Sequence, residues 1–196
     1  MKKLLALTAI ALLAFSVSAS AQVDPDPDGM GIYFDLGATQ FNVAYTGMFT
    51  PLNVYLLMTR PSGAQVLAWE CTIVEEVNTF NVPGTWALNG GLDVDSDPMD
   101  FVVGNGQNPH PAAPTIMLAS KQMFGLPTST ATFRVKGVAG SVSFPGGQPG
   151  YVHTLGFNTP CQVPTGDMNA PQACVNSNCM IVANEDMSWS NVKALY

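Results

Sequence analysis

Two runs of alternating acids are the first places in this 196-residue chain where side-chain type and spacing could do chemistry. In the first, Asp24, Asp26 and Asp28 alternate, Gly29 follows, and Asp35 closes the stretch. A calcium loop of about twelve residues takes ligands from positions 1, 3, 5, 7, 9 and 12 and needs glycine at position 6. Counted from Asp24, these places fall on Asp26, Asp28, Gly29 and Asp35, with the Met30 carbonyl at position 7. Alternating carboxylates can wrap a hard cation. The setting differs from an EF-hand, because Pro25 and Pro27 stiffen the loop and Asp35 reaches less far than the usual Glu. In the second run, Asp93, Asp95, Asp97 and Asp100 crowd together, with Pro98 where a calcium loop would carry Gly. Like charges this close repel, and a cation relieves that. Both runs are candidate Ca2+ sites. The competing reading is a pair of solvated acidic segments that aid solubility.

Cys71, Cys161, Cys174 and Cys179 are the other reactive groups. An even count in an exported chain reads as two disulfides. Cys174 and Cys179 can close a small loop and leave Cys71 to join Cys161. Alternatively, Cys71 takes one of the later pair. Zinc is the rival, but no second close Cys/His pair accompanies Cys174 and Cys179.

Motifs for other chemistry are missing. There is no Gly-x-Ser-x-Gly elbow, no His-Glu-x-x-His, no phosphate loop and no dinucleotide fingerprint. The two histidines, His110 and His153, are isolated from any serine or cysteine motif. Glu70, Glu75 and Glu76 read as a solvated strand face. Trp69, Trp86 and Tyr151 could make an aromatic platform for sugars, although such residues more often fill cores.

The segments that must position these residues start with a targeting device. Lys2 and Lys3 form a positive region, Leu4 to Phe15 an apolar one, and Ala19-Ser20-Ala21 a small-residue cleavage site. Residues 1–21 read as a signal peptide and 22–196 as one domain. The apolar run is too short for a bilayer span. Removing Lys2 and Lys3 leaves Arg60, Lys121, Arg134, Lys136 and Lys193 against 14 acids, a net charge of −9 instead of −7. So few scattered cations argue against nucleic acid and against anionic membrane surfaces.

The mature chain reads as short strands separated by turns. Candidates are Ile32–Phe34, Phe41–Tyr45, Leu52–Met58, Val66–Val74, Phe80–Leu88, Phe101–Val103, Thr115–Ala119, Ala131–Val135, Ser141–Phe144, Tyr151–Phe157 and Met180–Ala183. In Val66–Val74 the alternation puts Trp69, Cys71 and Ile73 on one face. Trp189, Val192, Leu195 and Tyr196 recur at helical spacing behind Ser188 or Asp186 as a cap. The expected fold is all-β: a single β-sandwich of about nine strands, jelly-roll or immunoglobulin/cohesin-like, with a short C-terminal helix.

Three stretches also carry a resemblance. They are Asp24-Pro25-Asp26-Pro27-Asp28-Gly29, Asn53 to Ser62 with Ala68-Trp69-Glu70-Cys71, and Ser188-Trp189-Ser190-Asn191-Val192-Lys193-Ala194-Leu195-Tyr196. As a set they resemble a group of small exported proteins of Gram-negative environmental bacteria. Arg60 stands where that pattern has Asn, and Ser190 where it has Gly. The resemblance implies export and a cohesin-like or carbohydrate-binding-like sandwich, and it implies no activity. Fold alone does not carry function.

The sequence therefore predicts a secreted, non-enzymatic binding or structural protein of the periplasm or cell exterior, with calcium stabilisation through the Asp runs open to it. The alternative is a carbohydrate-binding module, and a secreted hydrolase comes third. Its partner is a protein or a carbohydrate at the cell exterior. Self-association through an edge strand is open to it, because apolar strands with little charge are poorly guarded.

Overall fold

The computed structural model describes residues 26–80 and 86–179. Its strands are β1 (Gly29–Tyr33), β2 (Asn42–Val43), β3 (Pro51–Thr59), β4 (Gln65–Val66), β5 (Ala68–Asn78), β6 (Ala87–Leu88) and β7 (Leu92–Asp93). They continue as β8 (Asp100–Gly104), β9 (His110–Pro111), β10 (Thr115–Phe124), β11 (Thr130–Lys136), β12 (Gly150–Thr154), β13 (Phe157–Pro160) and β14 (Ala173–Val175). Among the described residues there is no helix. The predicted C-terminal helix and the strand at Met180–Ala183 both lie outside them.

Two sheets face each other. The first runs β1-β3-β10-β6 and the second runs β13-β12-β5-β11-β14-β2, with β8 on the other side of β5 and β7 beyond it. β4 and β9 form a separate two-stranded ladder. Alternation explains the core. Met30 and Ile32 of β1, and Val54, Leu56 and Met58 of β3, meet Trp69, Cys71 and Ile73 of β5 and Phe133 and Val135 of β11 in one buried cluster. In β10 a bulge between Met117 and Ala119 breaks the register, so that Leu118 and Ala119 are both buried.

β5 is the pivot of the second sheet. Its end at Ala68–Glu70 pairs with β12, its Thr72–Asn78 stretch pairs with β11, and its Ala68–Thr72 stretch pairs with β8 on the opposite side. The connection from β11 to β12 therefore leaves the sheet and returns to the same side of β5. That connection contains Ser141–Phe144, expected as a strand. It is a set of turns instead, with Ser141 N–H on the Val138 carbonyl and Gly147 N–H on the Phe144 carbonyl. Gly140, Pro145 and Gly146 around it favour turns over a ladder. Tyr151–Phe157, expected as one strand, is a hairpin whose chain reverses at Leu155-Gly156, with Gly156 at φ 85.

Candidate functional site

Asp28 and Asp35 stand at opposite ends of β1. The five extended residues of β1 and Phe34 between them hold the two carboxylates roughly 20 Å apart, so Asp28 and Asp35 do not share one loop. Each carboxylate serves its own surroundings. Asp28 Oδ1 accepts the Ser62 N–H at 2.7 Å and the Tyr151 hydroxyl at 2.7 Å. Tyr151 in turn accepts the Gly63 N–H at 2.9 Å. Burial raises the Tyr151 phenol above its ordinary value, against the lowering effect of its contacts with Ser62 and Gly63, and Asp28 raises it further. Asp35 accepts the N–H groups of Thr39 and Gln40 and the Thr39 hydroxyl, which closes the turn after β1. Asp26 is half-buried, as Asp28 is, and Asp24 lies outside the described residues.

The second run is a ladder of Asx turns. Asp93 Oδ1 accepts Asp95 N–H and Val102 N–H, Asp95 Oδ1 accepts Asp97 N–H, and Asp97 Oδ1 accepts Met99 N–H. Asp100 turns elsewhere, to the Thr72 hydroxyl at 2.5 Å. The four carboxylates do not meet at one point. Among the described residues no three His, Cys, Asp or Glu side chains gather closely enough to hold a metal.

The cysteines split. Cys174 and Cys179 are bridged, and the bridge sits beside β2, where Asn42 bonds both the N–H and the carbonyl of Cys179. Cys71 and Cys161 are free thiols, both buried, in place of the expected second bridge. The register supplies the reason. Cys161 N–H donates to the Pro149 carbonyl at 2.7 Å, and the β12–β5 register carried one residue further sets Pro149 opposite Cys71. With that chain between them, the two Cα atoms are about 10 Å apart, more than a disulfide spans. Burial raises the Cys71 thiol well above its ordinary value, with Cys161 and then Asp100 adding to it. Burial raises Cys161 as well.

Trp69, Trp86 and Tyr151 are buried, so the aromatic platform is not formed. Trp69 stacks on Phe101. The indole N–H of Trp86 donates to Glu75 Oε1 at 2.6 Å. Glu70 and Glu75, expected in solvent, are buried or nearly so. Glu75 continues the inward alternation of Cys71 and Ile73. It meets Lys121, the inward residue of β10 opposite Val54, at 2.8 Å. Only Glu76 is exposed, paired with Arg134 of β11.

The histidines stand apart from these acids. His153 is flanked by Tyr151 and Phe157. His110 pairs with Val66 in the β4–β9 ladder, and burial lowers its pKa against the effect of a backbone hydrogen bond at Asn89.

What sequence reasoning missed is an apolar tip. Leu155 is 87% exposed and Phe157 63%, at the turn and first residue of the outermost strand β13. Val142, 95% exposed, belongs to the neighbouring turns, which the Asn158 side chain ties to the hairpin through the Ser143 carbonyl. The signal was present in Thr154-Leu155-Gly156-Phe157, where a turn-forming Gly sits between two large apolar residues.

Fold and site together define an all-β sandwich with an apolar hairpin at one end of its larger sheet. No family model matches the chain, and no curated protein matches it. Among solved structures it is similar to the sixth cohesin from scaffoldin B of Acetivibrio cellulolyticus, solved in complex with a mutant Cel5 dockerin. The identity is 10% and the TM-score 0.43, over 78% of this chain and 100% of that one.

Proposed function

We propose that this chain is an exported, non-enzymatic binding or structural module that meets a protein partner through the β12–β13 hairpin. One contrast carries the reading. Most of the acids that could do chemistry at the surface are tied to groups of the chain itself: Asp28 to Ser62 and Tyr151, Asp35 to its turn, Asp93, Asp95 and Asp97 to main-chain N–H groups, and Glu75 to Lys121. Of the exposed large apolar side chains, Leu155 and Phe157 stand at the hairpin with Val142 in the turns tied to it, while Leu36, Met48, Phe49, Leu92 and Val94 belong to other segments. Exposed apolar groups gathered in one place mark interaction sites. Pro160 shapes the mode of contact. Because Cys161 directs its N–H at Pro149, just before β12, the preceding backbone position faces outward, and there Pro160 has no N–H to offer. Strand addition is blunted at that point, and side-chain docking is favoured. The Cys174–Cys179 bridge and the N-terminal targeting pattern support work outside the cytoplasm.

A photo-crosslinking amino acid in place of Phe157, introduced into the chain in the cells that export it, tests the proposal. The same group in place of Asn178, next to the bridge at the other end of the sheet, is the control. Adducts of defined mass at 157 and none at 178 support the reading. Equal adducts at both positions, or none at 157, defeat it. The buried aromatics withdraw support from the sugar-binding alternative.

A further inference from the structure

Glu70 lies between Trp69 and Cys71, which point into the core, so its side chain leaves the opposite face of the larger sheet. That face should be wet, yet Glu70 is only 5% exposed and its Oε1 is buried without a hydrogen-bond partner. A carboxylate oxygen in that state calls for a proton, a water or a cation. The cover comes from the turns between β11 and β12. The register sets Glu70 opposite Gly150, and a Cβ at Gly150 would collide with the buried Phe144 ring.

Further oxygens lie on the same face of the sheet. On the β8 side Glu70 stands opposite Val102 and Thr72 opposite Asp100, so Asp100 is the diagonal neighbour of Glu70 on the same face. Diagonal neighbours lie about 7–8 Å apart, a gap that a bridging cation between the two carboxylates can span. The Thr72 hydroxyl lies 2.5 Å from Asp100 Oδ1 and 3.3 Å from the Gly137 carbonyl oxygen, at the start of the covering turns. Lys136, opposite Thr72 in register, gives its ammonium to Asn169 Oδ1 instead. The patch therefore gathers two carboxylates, a hydroxyl and a carbonyl from three segments of chain. Hard oxygen donors in an irregular set suit Ca2+, which accepts variable geometry and completes its shell with water, better than Mg2+, which demands a near-ideal octahedron.

The geometry points to a calcium site made by Glu70, Asp100, the Thr72 hydroxyl and the Gly137 carbonyl, closed by the turns that carry Phe144. It is separate from the Asx turns of Asp93, Asp95 and Asp97. It also stands apart from the hairpin reading, because neither depends on the other.

The test uses the mature chain after chelator treatment, titrated with calcium chloride and followed by thermal melting and calorimetry. Extracellular calcium modules bind at roughly 0.1–1 mM. At about 10 mM calcium the melting midpoint should rise by roughly 3–11 °C. Glu70→Gln should abolish that rise whatever it does to the midpoint without calcium. Asp100→Asn gives the same readout if Glu70→Gln does not fold. Asp97→Asn should keep the full rise. No rise in the unaltered chain overturns the proposal. So does a rise that both Glu70→Gln and Asp100→Asn retain.

Discussion

Glu75 and Lys121 meet inside the sandwich, one from each sheet, with the Trp86 indole on the same carboxylate. Both side chains are nearly out of water, so neither can lose its partner cheaply. Breaking such a pair costs about 3–5 kcal/mol, while replacing both members with apolar groups of similar volume is often close to neutral. Lys121→Met and Glu75→Leu should each destabilise the chain by that order in urea unfolding, and the double variant should recover most of the loss. Equal and additive losses would show that the two act separately. His110 gives a second expectation at this scale. Burial lowers its folded pKa below the ordinary 6.5, so the unfolded chain takes up the proton first as pH falls. Stability from this residue is complete above about pH 6.5 and is lost as the pH falls through the lower folded value. The midpoint of a thermal melt should rise as the pH is brought up towards about 6.5 from the acid side, and His110→Gln should flatten that slope.

Among the elements, β5 shows what period 2 reveals and what residue type hides. Alternation correctly put Trp69, Cys71 and Ile73 on the core face, and the same count leads directly to Glu75. Its charge suggested solvent, because a carboxylate seldom goes inside without a partner. The partner, Lys121, is 46 residues away, a separation that strand periodicity does not span. Ser141–Phe144 failed for a different reason. Its alternation is real, but the glycines and Pro145 beside it make local turns cheaper than a ladder. The Asp93–Asp100 run is ambiguous for a physical reason. Alternating aspartates can ligate a cation or cap the N–H two residues on, and the neighbouring N–H groups are always in reach. β12 yields a test at this scale. Pro149 at its entrance holds Cys71 and Cys161 apart, and both thiols are buried, so a thiol reagent should find no cysteine in the native chain and two in denaturant. None in denaturant would mean that the strand had moved and a second bridge had formed.

On the scale of the whole molecule, charge and apolar surface oppose each other. Residues 22–196 carry a net charge of −9 with five basic residues, and eight of the 14 acids fall in the two Asp runs. Two copies approaching through Leu155 and Phe157 must bring these fields together. Repulsion between like-charged molecules is screened over about 10 Å at 0.1 M salt and over about 30 Å at 0.01 M. Apolar contact gains about 25 cal/mol per Å² and is not weakened by moderate salt. Self-contact through the hairpin should therefore be negligible at low ionic strength and grow as salt is raised. Sedimentation velocity across a salt series measures this directly. Leu155→Ser with Phe157→Ser should remove the salt-induced association and leave the melting midpoint nearly unchanged, because neither side chain is part of the core. A variant that associates as readily as the unaltered chain would move the contact to another surface. A natural partner faces the same balance, so one with basic residues around an apolar recess would gain where a second copy is repelled.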